Sequence, residues 1–148
     1  MNYKKIAGII VLSLILLSAV NTTYAEDRDY SIIDALIDLT VHEDGLLHVN
    51  ESYTYSFDGT FNGVYRDIPL KSGESIENLE VSLEGAYGEY DVSDKDGKKH
   101  ITVYLWADEA HTQKIHDQNV KVTYSYDMKN VVTLFNDVGS LQYKLWGE

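Results

Sequence analysis

Cysteine is absent from the 148 residues, proline occurs once, at Pro69, and basic side chains number 12 against 24 acidic ones. Each shortage removes a class of protein. Without cysteine there is no disulfide scaffold, no lipid-modified cysteine anchor, no thiolate zinc site and no cysteine nucleophile. With a formal charge of −12 the chain lacks the clustered Lys and Arg that hold phosphate, so a nucleic-acid partner is not expected. Long apolar runs are also missing. The one uncharged stretch of note, Ile6 to Val20, has fifteen residues. As a helix it would rise about 22 Å, short of the roughly 30 Å hydrocarbon core.

That run has another meaning. Lys4 and Lys5 precede it, and Thr23-Tyr24-Ala25 follows with small residues at the −3 and −1 positions before Glu26. A basic start, a short apolar helix and a small-x-small ending make a secretory signal peptide over residues 1–25. The alternative is an uncleaved N-terminal anchor. Cleavage takes away two lysines and no acid, leaving 10 basic and 24 acidic residues in 123. A domain of that size buries roughly two thirds of its unfolded surface, enough for one core without staples.

Within residues 26–148 the dominant signal is a period of two. Ile33, Ala35, Ile37, Leu39 and Val41 share one face with Asp34, Asp38, Thr40 and His42 mostly opposite, and Asp44-Gly45 then offers a turn. Leu47, Val49, Tyr53, Tyr55 and Phe57 next face one way, while His48, Asn50, Ser52, Thr54 and Ser56 face the other. This is a half-buried β-hairpin. Further strands of about seven residues are expected at Ile76–Leu83, His100–Trp106 and Val120–Tyr126, with turns at Asp58-Gly59, Asn62-Gly63 and Asp96-Gly97. Asp108 to Gln118 reads as a weakly periodic helix or a long loop. The expected fold is all-β, an antiparallel β-sandwich of short strands. It is incomplete at its C-terminus, because the apolar Leu145-Trp146 pair stands two residues from the last and would need a cover. The chain is therefore expected to be part of a longer one.

One residue breaks the alternation. Glu51 has the parity of Leu47, Val49, Tyr53 and Tyr55 and so points inward, where an unpaired carboxylate costs several kcal/mol. The mature domain has two arginines, Arg28 near the cleavage site and Arg66 in Gly63-Val64-Tyr65-Arg66-Asp67-Ile68-Pro69. Arg66 has the planar fork that suits a carboxylate. Glu51 and Arg66 are the structural ion-pair candidate, expected to fix the register of neighbouring strands. The alternative leaves Glu51 at an exposed edge and pairs Arg66 with Asp67.

These residues also carry a likeness. Val49-Asn50-Glu51, the run Tyr53 to Phe57, Gly63 to Pro69, the Tyr-rich strand at Val120 to Tyr126, and Asn136-Asp137-Val138 with Leu145-Trp146-Gly147-Glu148 resemble the N-terminal region of the predicted membrane proteins called domain of unknown function 2207. The resemblance spans most of residues 30 to 148, and its most specific part is Gly-x-Tyr-Arg-x-Ile-Pro. It implies an extracytoplasmic β-rich domain, followed in other members by more strands, transmembrane helices and often a glycine-rich tail. This chain ends before any of those, so it is expected to be either truncated or a secreted form lacking the anchor. The family has no established activity, so the resemblance carries over no catalytic residue.

Other chemistries find little support. Asp108, Glu109, His111, His116 and Asp117 offer metal-ligand types, but a spacing of five puts the two histidines about 140° apart on a helix. Aligning Gly97 with the glycine of an EF-hand loop puts Val92 and Val103 at the first and last ligand places, where acids are required. No nucleophile elbow or Ser-Lys motif is present. Tyr53-Thr54-Tyr55 and Tyr87-Gly88-Glu89-Tyr90 form either an aromatic platform for carbohydrate or peptide, or ordinary strand packing. No catalytic residue, metal or cofactor is therefore assigned. The expectation is an exported module of the cell envelope with a structural or binding role, whose partner is an envelope protein or polymer. Membrane association would come through a downstream segment or an uncleaved leader. The rival reading is a surface hydrolase or metal-dependent enzyme that uses acidic and histidine side chains.

Overall fold

The computed structural model describes residues 28–134, 138–141 and 143. The expected signal peptide lies outside the described residues, as does most of the C-terminal apolar segment. The described residues contain no helix, and so none long and apolar enough to cross a membrane. They form eleven strands, all paired antiparallel.

The first hairpin is β1 (Asp29–Val41) and β2 (Leu47–Asp58). Its connection carries Gly45 at φ 83°, in the left-handed region that glycine enters without a Cβ penalty. The remaining strands are β3 (Thr60–Phe61), β4 (Gly63–Pro69), β5 (Ser75–Glu84), β6 (Tyr87–Lys95), β7 (Lys98–Trp106), β8 (Ile115–His116), β9 (Asn119–Lys129), β10 (Val132–Leu134) and β11 (Gly139–Leu141). One sheet has the order β1-β2-β9-β5 and a second has β4-β7-β6, while β3-β8 and β10-β11 form two small ladders.

Both large sheets feed one buried cluster. Leu47, Val49, Tyr53, Tyr55 and Phe57 of β2 and Val120, Val122, Tyr124, Tyr126 and Met128 of β9 meet Ile68 of β4 and Ile101, Val103 and Leu105 of β7. In β2 and β9, and in β7 from Ile101 to Leu105, every second residue is buried, which is the period of two expressed as packing.

Several expectations need correction. The strands are not short: β1, β2, β5 and β9 run 13, 12, 10 and 11 residues. Ile33 leaves the apolar face of β1, because a bulge between Ile32 and Asp34 shifts the register and gives its place to Ile32, opposite Tyr55. Asn62-Gly63 is not a positive-φ turn. Gly63 opens β4, and a Cβ there would collide with the Val103 carbonyl oxygen, so glycine is required by close approach rather than by φ. Asp96-Gly97, at φ 52° and 72°, does make the tight hairpin between β6 and β7. Asp108 to Gln118 is a loop containing β8. Asp108 organises its start by accepting the N–H of Thr112 at 3.0 Å and of Gln113 at 2.7 Å.

Candidate functional site

Glu51 lies in β2 and is fully buried. Arg66 lies in β4, on the parity of Val64 and Ile68, with its side chain 12% exposed. The structure brings the two together as a bidentate pair: Arg66 Nε donates to Glu51 Oε1 at 2.9 Å and Nη2 to Oε2 at 3.0 Å. The third arm, Nη1, donates to the Asp67 carbonyl at 3.1 Å. β2 and β4 belong to different sheets, so the pair spans the two sheets rather than neighbouring strands of one. That corrects the expected position of the contact.

Tyrosines surround the pair, and sequence reasoning missed them. The Tyr53 hydroxyl donates to Glu51 Oε2 at 2.8 Å, and the Tyr126 hydroxyl to Oε1 at 3.3 Å. Tyr143 meets the Tyr126 hydroxyl at 2.6 Å, and the Arg66 guanidinium lies 5.7 Å from the Tyr53 ring centre. Tyr124, paired with Glu51 across the ladder, has a buried hydroxyl with no partner among the described residues. Burial, with the negative charge of Glu51 adding to it, pushes the Tyr53 and Tyr126 hydroxyls well above the usual phenol range. Burial alone would lower the Arg66 pKa, but the hydrogen bonds and charge of Glu51 outweigh it and the net shift is upward. The only available signal for this shell was parity: Tyr53, Tyr124 and Tyr126 all fall on core positions.

A second feature lies on the outside of the three-stranded sheet. Since Ile101, Val103 and Leu105 point inward, His100, Thr102, Tyr104 and Trp106 point outward. The register places Tyr65 and Asp67 of β4 beside Thr102 and His100, and Tyr87, Glu89 and Asp91 of β6 beside Trp106, Tyr104 and Thr102. Tyr65, Tyr87 and Tyr104 are exposed. Trp106 stacks on His111, ring centres 4.1 Å apart and planes 9° from parallel. Of the expected tyrosine platforms, Tyr53 and Tyr55 are buried in the core, while Tyr87 stands on this outer face.

His100 Nδ1 lies 2.5 Å from Asp67 Oδ1, and its Nε2 lies 3.2 Å from Thr102 Oγ1. The hydrogen bond from His100 holds the Asp67 carboxyl below the usual range. The chain Asp67–His100–Thr102 has the order of a nucleophile relay. It sits, however, on the central strand of a sheet whose neighbours on both sides take up its backbone groups. Among the described residues the backbone beside His100 and Thr102 is thus taken up by the ladders and offers no donor pair for an oxyanion. The expected metal-ligand types also separate: His111 faces Glu89 at 3.7 Å, while His116 pairs with Asp117 at 3.0 Å and with Thr60 of β3. No group of three metal-ligating side chains converges among the described residues.

Residues 31–148 match the family described as "Predicted membrane protein (DUF2207) N-terminal domain". The chain belongs to that family. No curated protein and no solved structure matches it.

Proposed function

We propose that this chain is an extracytoplasmic binding module: a β-sandwich held outside the membrane as the N-terminal domain of a cell-envelope membrane protein. The observation that carries the reading is the outward face of β4-β7-β6. Tyr65, Tyr87 and Tyr104 spend apolar ring area on solvent there, between the carboxylates of Asp67, Glu89 and Asp91. Exposed aromatic surface rimmed by polar groups is a mark of contact surfaces. Membership of a membrane-protein family supports the location, and the basic, apolar and small-residue pattern of residues 1–25 supports export. The scattered histidines favour this reading over a metal-dependent hydrolase.

Because the chain has no cysteine, location can be tested with one introduced thiol. Ser93→Cys, exposed on β6, should react with a membrane-impermeant maleimide in intact cells. Labelling only after lysis would refute export. For the binding role, Tyr65→Ala/Tyr104→Ala should release the purified chain from isolated cell envelopes while its melting curve stays in place; undiminished co-sedimentation would refute it.

A further inference from the structure

The two large sheets end in four edge strands, and three carry features that discourage pairing with another chain. β4 ends in Pro69. β5 is interrupted by an irregularity between Glu77 and Glu80, with Asn78 at φ 51°. β6 bears Glu89, Asp91, Asp94 and Lys95. Charged residues, bulges and proline are the usual protections of an open edge. β1 has far less. Beyond its bulge, Asp34 to Val41 pairs with Leu47 to Thr54 in unbroken register, and the segment holds no lysine, arginine, proline or glycine.

β1 is also apolar where it should not be. Tyr30, Ile32, Ile33, Leu36 and Val41 are all exposed, Leu36 at 57%. Residues paired across the ladder share a face, so Ala35, Ile37, Leu39 and Val41 stand on the inner side with Tyr53, Glu51, Val49 and Leu47. Asp34, Leu36 and Asp38 stand on the outer side. Among the described residues no strand pairs with the outer edge of β1, which therefore presents unpaired main-chain groups, an apolar inner row, and an outer row of two carboxylates around a leucine. β2, next to it, also lacks lysine and arginine.

We infer that the free edge of β1 over Asp34–Val41 receives an extended strand from another protein, by β-augmentation, and that this strand alternates apolar with basic residues. The main chain would supply the pairing, its apolar side chains would extend the inner row, and its Lys or Arg would sit beside Asp34 and Asp38. A second copy of this chain is the poorer occupant. An antiparallel register that pairs Asp34–Val41 with itself puts Asp38 opposite or diagonal to its own copy, with no cation on either strand. The net charge of −12 opposes self-association in the same sense.

The probe is a capped eight-residue peptide of alternating Val and Lys, titrated into the full chain, with two controls. One replaces Lys by Glu. The other keeps every side chain but methylates the backbone nitrogens that would pair. The expected result is binding at least tenfold tighter than to either control, with new amide protection confined to Asp34–Val41. Leu36→Lys and Asp34→Lys/Asp38→Lys, all at exposed positions, should each weaken binding at least tenfold without moving the melting temperature. Equal affinity for the methylated peptide would reduce the effect to charge adhesion and overturn the inference. So would protection appearing on β6 instead, or a peptide-independent dimer whose β1 amides are protected.

Discussion

Removing the cation from the sheet interface is the most demanding test of the interior. Arg66→Ala would leave the fully buried Glu51 carboxylate with two tyrosine hydroxyls and no positive charge. Two charge-assisted hydrogen bonds, at 2.9 and 3.0 Å, are lost together. Breaking a buried pair in this way costs about 3–5 kcal/mol. For a domain of this size the melting temperature should fall by about 10–20 °C. Glu51→Gln should cost less, because Arg66 is slightly exposed and keeps its bond to the Asp67 carbonyl. Arg66→Lys should fall between, since an ammonium cannot reproduce the fork. The double change Glu51→Leu/Arg66→Met removes both charges and should come within about 1–2 kcal/mol of the parent. Urea denaturation followed by circular dichroism gives all four values, and the single substitutions Glu51→Leu and Arg66→Met close a cycle with the double change, whose coupling should be at least about 2 kcal/mol. An Arg66→Ala protein as stable as the parent, or purely additive substitutions, would refute the reasoning.

The tyrosines around the pair should divide by partner. Tyr124→Phe removes a buried hydroxyl with no partner among the described residues and should leave stability unchanged or raised, whereas Tyr53→Phe should cost about 1–3 kcal/mol by taking a donor from a buried carboxylate; a larger loss at Tyr124 than at Tyr53 in urea midpoints would contradict this. At high pH, burial pushes Tyr55 up to about 12 and Tyr53, Tyr124 and Tyr126 higher. Folded values above the unfolded one mean that their contribution is complete below about pH 10 and is lost as the pH rises toward the folded values. Ultraviolet phenolate absorbance should then show the buried class ionising only as the fold is lost, and a single class near 10 in an intact fold would contradict it. At low pH the sign reverses. Asp127, held below its usual value by Asn78 and then His48, stabilises above about pH 4 and loses that contribution as the pH falls through its folded value. Asp127→Asn should therefore flatten the acid limb of a stability profile measured by urea midpoint; an acid limb as steep as the parent's would refute the assignment.

The sequence was most legible where one side of a strand is buried and the other wet. β2, β7 and β9 alternate in residue type and in burial alike, so their existence and their inward residues could be read directly. β6 could not. All nine of its residues are exposed, and Tyr90 and Val92 on its inner parity are only partly covered, so alternation carries little information there. β4 was hidden for a different reason: its inner row is Val64, Arg66 and Ile68, and a charge in the middle breaks the apolar pattern that marks a strand. The same charge made Arg66 conspicuous as a partner for Glu51. What parity could not supply was which sheet Arg66 stands in, because strand order is set by long-range pairing. The outer aromatic face was spread over β4, β6 and β7, and only their register assembles it.

A buried ion pair is a poor source of net stability, and hydrophobic residues of similar volume would serve as well or better. Its value at this position follows from geometry. The two large sheets face each other through apolar side chains, whose attraction is non-directional and tolerates sliding by one pair of residues. A bidentate contact does not. Shifting β4 against β2 by two residues would leave Glu51 and Arg66 several ångströms apart and both unpaired in a water-poor interior, a cost of several kcal/mol. In an all-β fold without a disulfide, we therefore expect this shielded charge pair to hold the sheets to a single alignment, and with it the positions of the outer aromatic face and the β1 edge.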